Sequence, residues 1–322
     1  MKRRLTWALA ILLALPLALF ADFGFWLDSP QVRSNPHDPK SPPSIRIDPL
    51  PLAPSPTPTN TPIACKSYLR SISGTFGIDD VAVDSANNIY AAEFVLHCVR
   101  KYSSSGIFLQ TISFLPASFS DHFPKQLRIR ANGNVVIGGN SVALTEASSS
   151  GVFVANYSSP QIYNDFDLFP NGDYAFFFQP TYSVVRTNAS LSIIWSTGGQ
   201  GTGAGQFSSG AGVCIGPSGD VYSPDWFGDR IHRFSGSTGT LLTTYSFPVR
   251  PGKMRLGQDG NFYVGGSDDR VYVCDSNMVI QCSFGGNGTA PGLYTGILTL
   301  AADSFGQAYV TGGSKLDAEV LQ

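Results

Sequence analysis

The sequence predicts an all-β ring, a six-bladed β-propeller of four-stranded blades, and three observations carry that prediction. First, an apolar-x-apolar strand, a short polar turn and a second strand recur six times. The second strands open at Ile89, Val135, Tyr174, Val221, Phe262 and Ala308. These openers lie 39–47 residues apart, the period of a propeller blade. Second, the offset inside the repeat is constant. Apolar pairs stand eight and six residues before each opener, from Val81/Val83 and Leu127/Ile129 to Leu300/Ala302. Third, the last copy stops after its third strand, while residues 67–73 read like the fourth strand of the first copy. The N-terminal strand is therefore expected to complete the last blade, which removes an exposed sheet edge.

Residues 1–28 precede the repeats. Lys2, Arg3 and Arg4 lead an apolar run over residues 5–21, which reads as a secretory signal peptide or an uncleaved signal anchor. Phe23, Phe25 and Trp26 follow, aromatics that suit a membrane interface. Basic residues before the run, with none soon after, put the amino end inside and the rest of the chain outside. The protein is thus expected to be secreted, or held on the outer face of the cytoplasmic membrane by residues 5–21. Residues 29–64 are rich in Pro, Ser and Thr and read as a semi-rigid extended spacer.

Residues 65–322 form the propeller. Within each copy, strand a alternates, as in Val81-Ala82-Val83. The a–b turns are Asn132-Gly133-Asn134, Asn171-Gly172-Asp173, Ser218-Gly219-Asp220 and Asp259-Gly260-Asn261, residue types that tolerate positive φ. Strands b, c and d follow, as in Val221-Tyr222-Ser223, 230–234 and 241–245. Charged residues are only 14% of the chain and the net charge is −2; six of the 21 Lys and Arg precede the repeats. The ring has no concentrated positive field, so no nucleic-acid partner is expected. Of the five cysteines, Cys65, Cys98, Cys214, Cys274 and Cys282, the last two flank one hairpin and are candidates for a bridge.

The fourth copy resembles an NHL repeat. A Gly-rich lead-in (198–206) runs into Phe207, then Val213, the turn Gly219-Asp220, strand Val221-Tyr222 and the basic strand 230–234. The copies at 74–112 and 286–321 are similar, 252–284 has Gly266 where the family usually has Asp, and 125–158 and 166–197 are degenerate. The resemblance covers about 65–322. It implies the propeller fold and leaves function open, since such propellers include ligand-binding domains, sensor ectodomains, lyases and hydrolases.

Candidate site residues come from that layout. The residue before each strand a should ring the channel mouth: Asp80, Gln126, Asp165, Gly212, Lys253 and Thr299. The ring is mostly polar, mixed in charge and varied from blade to blade, with only Asp occurring twice, which suits an asymmetric ligand or simply a set of solvated loop ends. Glu93 and Asp225 hold equivalent positions after strand b and match the family's acidic position, where they could order the b–c loop. With Asp79, Asp80, Asp165, Asp229, Asp268 and Asp269 they could form an oxygen-rich set for Ca²⁺, without EF-hand spacing. Trp226, beside Asp225, could stack on a sugar or peptide or cover the blade end. Resemblance to amidating lyases raises a zinc site, but His97 and His122 make two candidates where three are needed, and His232 lies inside a strand. No cofactor is therefore expected, Ca²⁺ and Zn²⁺ being the metals to test. The sequence reads as a monomeric binder of an extracellular protein, peptide or glycan. The alternatives are a metal-dependent lyase or hydrolase, and a structural surface protein.

Overall fold

The computed structural model describes residues 66–72, 77–113, 123–139, 142–312 and 318–322. The expectations for 1–28 and 29–64, and for Cys65 and His122, lie outside those residues. Strand β1 is Tyr68–Ile72. Blade 1 is β2 (Ile78–Val83), β3 (Ile89–Glu93), β4 (Cys98–Tyr102) and β5 (Phe108–Ile112). Blade 2 is β6 (Gln126–Ile129), β7 (Val135–Gly138), β8 (Ala143–Ala147) and β9 (Phe153–Ser158). Blade 3 is β10 (Asp165–Leu168), β11 (Tyr174–Phe178), β12 (Ser183–Thr187) and β13 (Ile193–Gly198). Blade 4 is β14 (Cys214–Ile215), β15 (Val221–Asp225), β16 (Arg230–Phe234) and β17 (Leu241–Ser246). Blade 5 is β18 (Pro251–Leu256), β19 (Phe262–Gly266), β20 (Arg270–Cys274) and β21 (Ile280–Gly285). Blade 6 is β22 (Ile297–Ala302), β23 (Ala308–Gly312) and β24 (Ala318–Leu321), completed by β1.

All pairings within the blades are antiparallel, and the first strands of successive blades touch one another around the axis. The expected closure is observed. Tyr68 pairs with Leu321 and Ile72 with Ala318, and Ser67 and Gln322 exchange backbone hydrogen bonds of 2.9 and 3.0 Å. One apolar cluster fills each of the six interfaces between blades. The cluster that closes the ring joins Ile72, Tyr309 and Val320 of blade 6 to Ile78, Val81 and Ile89 of blade 1.

Recurrent turn chemistry holds the strands in register. Asp84 Oδ1 accepts from the amides of Ala86 and Asn88, and Asp303 Oδ1 does the same for Phe305 and Gln307. The other oxygen of each acid accepts a buried tyrosine hydroxyl, Tyr90 or Tyr309. Such side chains replace backbone partners in a tight turn. The a–b and c–d turns share one face, called here the turn face. The d–a and b–c loops share the other, the mouth face.

The expected Cys274–Cys282 bridge does not form. Cys274 is a buried free thiol, pushed up to about 12 by burial, and Cys282 is disulfide-bonded. The reason is the pleat. Cys274 packs into the interface between blades 4 and 5, whereas Cys282 packs toward that between blades 5 and 6. Their side chains leave opposite faces of one sheet.

Candidate functional site

The axis of the ring is closed by charge. Asp80 and Asp165, both completely buried, face two guanidinium groups from other blades. Arg128 donates from Nη1 to Asp80 Oδ2 at 2.9 Å, from Nη2 to Asp165 Oδ1 at 2.8 Å and from Nε to Asp167 Oδ1 at 3.2 Å. Arg255 donates from Nη1 to Asp165 Oδ2 at 3.0 Å, and its Nη2 lies 3.4 Å from Asp80 Oδ2. Lys253 Nζ is 3.8 Å from Asp165 Oδ2, and the Thr299 hydroxyl donates to Asp80. Blade 4 contributes space instead of a side chain, because a Cβ on Gly212 would sit 2.5 Å from Asp165 Oδ2. Gln126 is also buried, its amide donating to Asn164 O at 3.1 Å.

Three acids (Asp80, Asp165, Asp167) thus meet three bases (Arg128, Lys253, Arg255), and the plug is charge-balanced. Burial alone would raise the Asp165 carboxyl, but Arg255, Lys253 and Arg128 outweigh it and hold it far below the usual range. The same balance, led by Arg255 and Arg128, lowers Asp80. Buried charge is tolerated only when paired and hydrogen-bonded in this way.

Sequence reasoning placed Asp80, Gln126, Asp165, Lys253 and Thr299 in one ring, and the structure brings them together. Their contacts differ from blade to blade: Asp80 and Asp165 take guanidinium groups, Lys253 faces Asp165, Thr299 donates to Asp80, and Gln126 donates to a backbone carbonyl of the next blade. Arg128, Asp167 and Arg255 were missed. They occupy the x of the apolar-x-apolar motif, and that alternation is the signal that could have found them.

Above the plug, the mouth stays partly open to solvent. The Lys253 side chain keeps 23% of its accessible surface. Burial, the largest influence on it, lowers its ammonium below the ordinary lysine range. Asp79 and Lys125, the residues preceding Asp80 and Gln126, are half-buried at the same level. Burial raises the Asp79 carboxyl to about 6, against the pull of Lys125 and Lys253. Trp226, half-buried in a short 3₁₀ turn (Trp226–Gly228), lies over Gly252, next to Lys253. A Cβ on Gly252 would come within 3.2 Å of that indole ring. The mouth therefore combines an aromatic edge with an ammonium, a second lysine and an acid whose carboxyl is held up to about 6. On the turn side of the plug, a cavity of about 360 Å³ is lined by Arg128, Asp167, Arg255, Leu256, Gln258 and Ala301, among others.

Glu93 and Asp225 are fully buried at the ends of their b strands, engaged by neighbouring protein groups. Asp225 Oδ1 accepts from the amides of Ser208 and Ser209 at 2.9 and 2.8 Å, and Oδ2 from Arg230 Nε at 3.0 Å. Arg230 also donates to the carbonyls of Thr202 and Gln206, so the pair fastens the Gly-rich lead-in of blade 4. Glu93 accepts from Tyr102 at 3.4 Å and lies 3.5 Å from Arg100.

His232 is buried, with Nδ1 on Thr244 Oγ1 at 2.8 Å and Nε2 on Gln206 O at 3.0 Å. Burial lowers its pKa, and it packs as a core residue. His97 sits on the mouth face with its ring 4.3 Å from that of Phe123. Among the described residues, no three His, Cys, Asp or Glu side chains gather as a metal would require.

No known family profile matches the chain, and no curated protein matches it. Solved structures do. Virginiamycin B lyase from Staphylococcus aureus aligns with 77% of this chain and 81% of its own, at 15% identity and a TM-score of 0.54. A streptogramin B lyase structure aligns at 16% identity and 0.53, covering 75% and 78% of the two chains. The WD40 β-propeller domain of Doa1 aligns at 13% identity and 0.56, over 81% and 97%. An enzyme and a WD40 domain match equally well, so the likeness is one of propeller fold.

Proposed function

We propose that this chain is an extracytoplasmic recognition module, an NHL-like ring that binds a protein, peptide or glycan at its mouth face. One observation carries the reading. The acids on the axis are committed to one another through Arg128 and Arg255, while Trp226, Lys253, Asp79 and Lys125 stand above them at the mouth. A rigid floor beneath an aromatic edge and mixed charges suits orientation of a polar ligand by stacking and ion pairing. Display outside the cell follows from the apolar run at 5–21, and the Pro-rich spacer at 29–64 gives the ring reach.

The test is a screen of the full chain against a glycan array and a displayed random-peptide library, with hits measured by calorimetry. Trp226→Ala and Lys253→Gln should each weaken a mouth ligand at least about tenfold, roughly 1.4 kcal/mol. Phe305→Ser, on the turn face, should leave binding unchanged. Hits indifferent to both mouth substitutions would refute the site.

A further inference from the structure

We propose that the turn-face rim of the ring is a docking surface for a lipid interface. The observation is an apolar collar. In every blade the outermost strand exposes large apolar side chains where it leaves the c–d turn, or, in β1, where the chain enters the ring. They are represented by Leu69, Ile107, Val152, Ile193, Leu242 and Val279 around the six blades. Ile107 and Val152 are 67% and 65% exposed. Toward the mouth face the same strands turn polar, as at Gln110 and Thr111, Asn156 and Ser158, and Ser196 and Thr197. Phe305, on the a–b turn of blade 6 at the same level, is 73% exposed.

Exposed edge strands are ordinarily blunted by charge, above all lysine, because an apolar edge invites unwanted pairing. Here the six outermost strands hold a single charged residue, Arg70, and it is turned onto the Ser104 carbonyl. A collar of this kind needs a cover, and its shape selects the occupant. A second ring packed side by side would cover the outer strand of one blade and leave five bare. A ring stacked on the turn face would meet the turns but not the side chains that point outward. A planar interface receives the rim all the way round.

The depth agrees. Three strand residues span about 10 Å, close to the roughly 5–10 Å by which interfacial elements bury their apolar faces. The unpaired backbone groups of the outer strands bar entry into hydrocarbon but are satisfied among hydrated headgroups. The chain also enters the ring at this level. Lys66, just before β1, donates to the Gly306 carbonyl next to Phe305, and the apolar run at 5–21 lies upstream. The ring would therefore rest on its turn face with its mouth turned away from the lipid.

Two full-length variants, Val152→Cys and Ser158→Cys, test this. Residue 152 immediately precedes the outer strand β9 and residue 158 ends it, and each variant would carry acrylodan. Cys98, Cys214 and Cys274 are buried and should not react in the folded protein. The proteins are mixed with phosphatidylcholine–phosphatidylglycerol vesicles with and without doxyl-labelled lipid, and circular dichroism confirms folding. The expected result is a blue shift and several-fold stronger doxyl quenching at 152 than at 158. Equal responses, no response at 152, or no vesicle binding would overturn the proposal. So would a blue shift at 152 that needs no lipid and grows with protein concentration, which would make the cover a second copy of the chain. None of these outcomes bears on the mouth site, which is read by its own ligand measurements.

Discussion

At the level of single residues, the axis and the mouth make opposite electrostatic predictions. On the axis, Arg255 is 7% exposed and faces two buried carboxylates. Arg255→Met leaves them underpaired and should destabilise the ring by about 3–5 kcal/mol in urea. Adding Asp165→Asn should recover part of that loss, because the two side chains share one interaction. Strict additivity would show that they do not. At the mouth, burial holds the Asp79 carboxyl up to about 6, from an ordinary 3.8. The folded state then prefers the protonated acid, so ionisation weakens the fold as pH rises through the interval from 3.8 to about 6. Asp79→Asn should match the wild type below pH 3.8, gain on it across that interval and hold a constant advantage above it. Urea midpoints across this range would show it, and a flat difference would remove Asp79 from the mouth's pH response. Asp80 and Asp165 act in the other sense. Their carboxyls are held low, so the stability they confer is lost only in stronger acid.

At the level of elements, the closing strand permits a direct comparison. Ile72 of β1 and Ile112 of β5 hold equivalent places in outermost strands, one completing the last blade and one inside a continuous blade. Both are buried, at 2% and 0% exposure. If β1 is as integral as its register implies, Ile72→Ala and Ile112→Ala should each cost about 2–5 kcal/mol. A much smaller loss at Ile72 would make β1 a peripheral addition. This closure was legible in the sequence because a strand lacking at one end was present at the other. The a–b turns were legible too, since Gly, Asn and Asp recur at fixed offsets. Residues 80, 126, 165, 253 and 299 were legible as a ring, though not as a plug. Which acid meets which base depends on pairings such as Asp80 with Arg255, 175 residues apart and in blades that only ring closure brings together. Local pattern carries no such information. Equally hidden was the role of Asp225, which faces backward onto Ser208 and Ser209 and so orders the lead-in before its own strand. The cysteine pair misled because proximity in one hairpin says nothing about which face of the sheet each side chain leaves.

At the level of the whole molecule, two devices bind all six blades into one unit. One is the β1–β24 pairing at the perimeter, and the other is the plug at the axis. The plug draws charged side chains from blades 1, 2, 3 and 5, a hydroxyl from blade 6, and needs the bare Gly212 of blade 4. A blade cannot leave the ring without breaking a packed interface on each side and, for most blades, unpairing a buried charge. Repeat arrays held only by neighbour contacts can unfold in parts. This ring should not. The prediction is one cooperative urea transition, with coincident midpoints for far-ultraviolet circular dichroism and for tryptophan fluorescence, to which Trp195 in blade 3 and Trp226 in blade 4 contribute. Arg255→Met and Ile72→Ala disturb the axis and the perimeter at sites without shared partners. Together they should lower that single transition by the sum of their separate effects, within about 0.5 kcal/mol. Midpoints that diverge in the double variant, with fluorescence leading or lagging the backbone signal, would mean that the two devices hold separate parts of the ring.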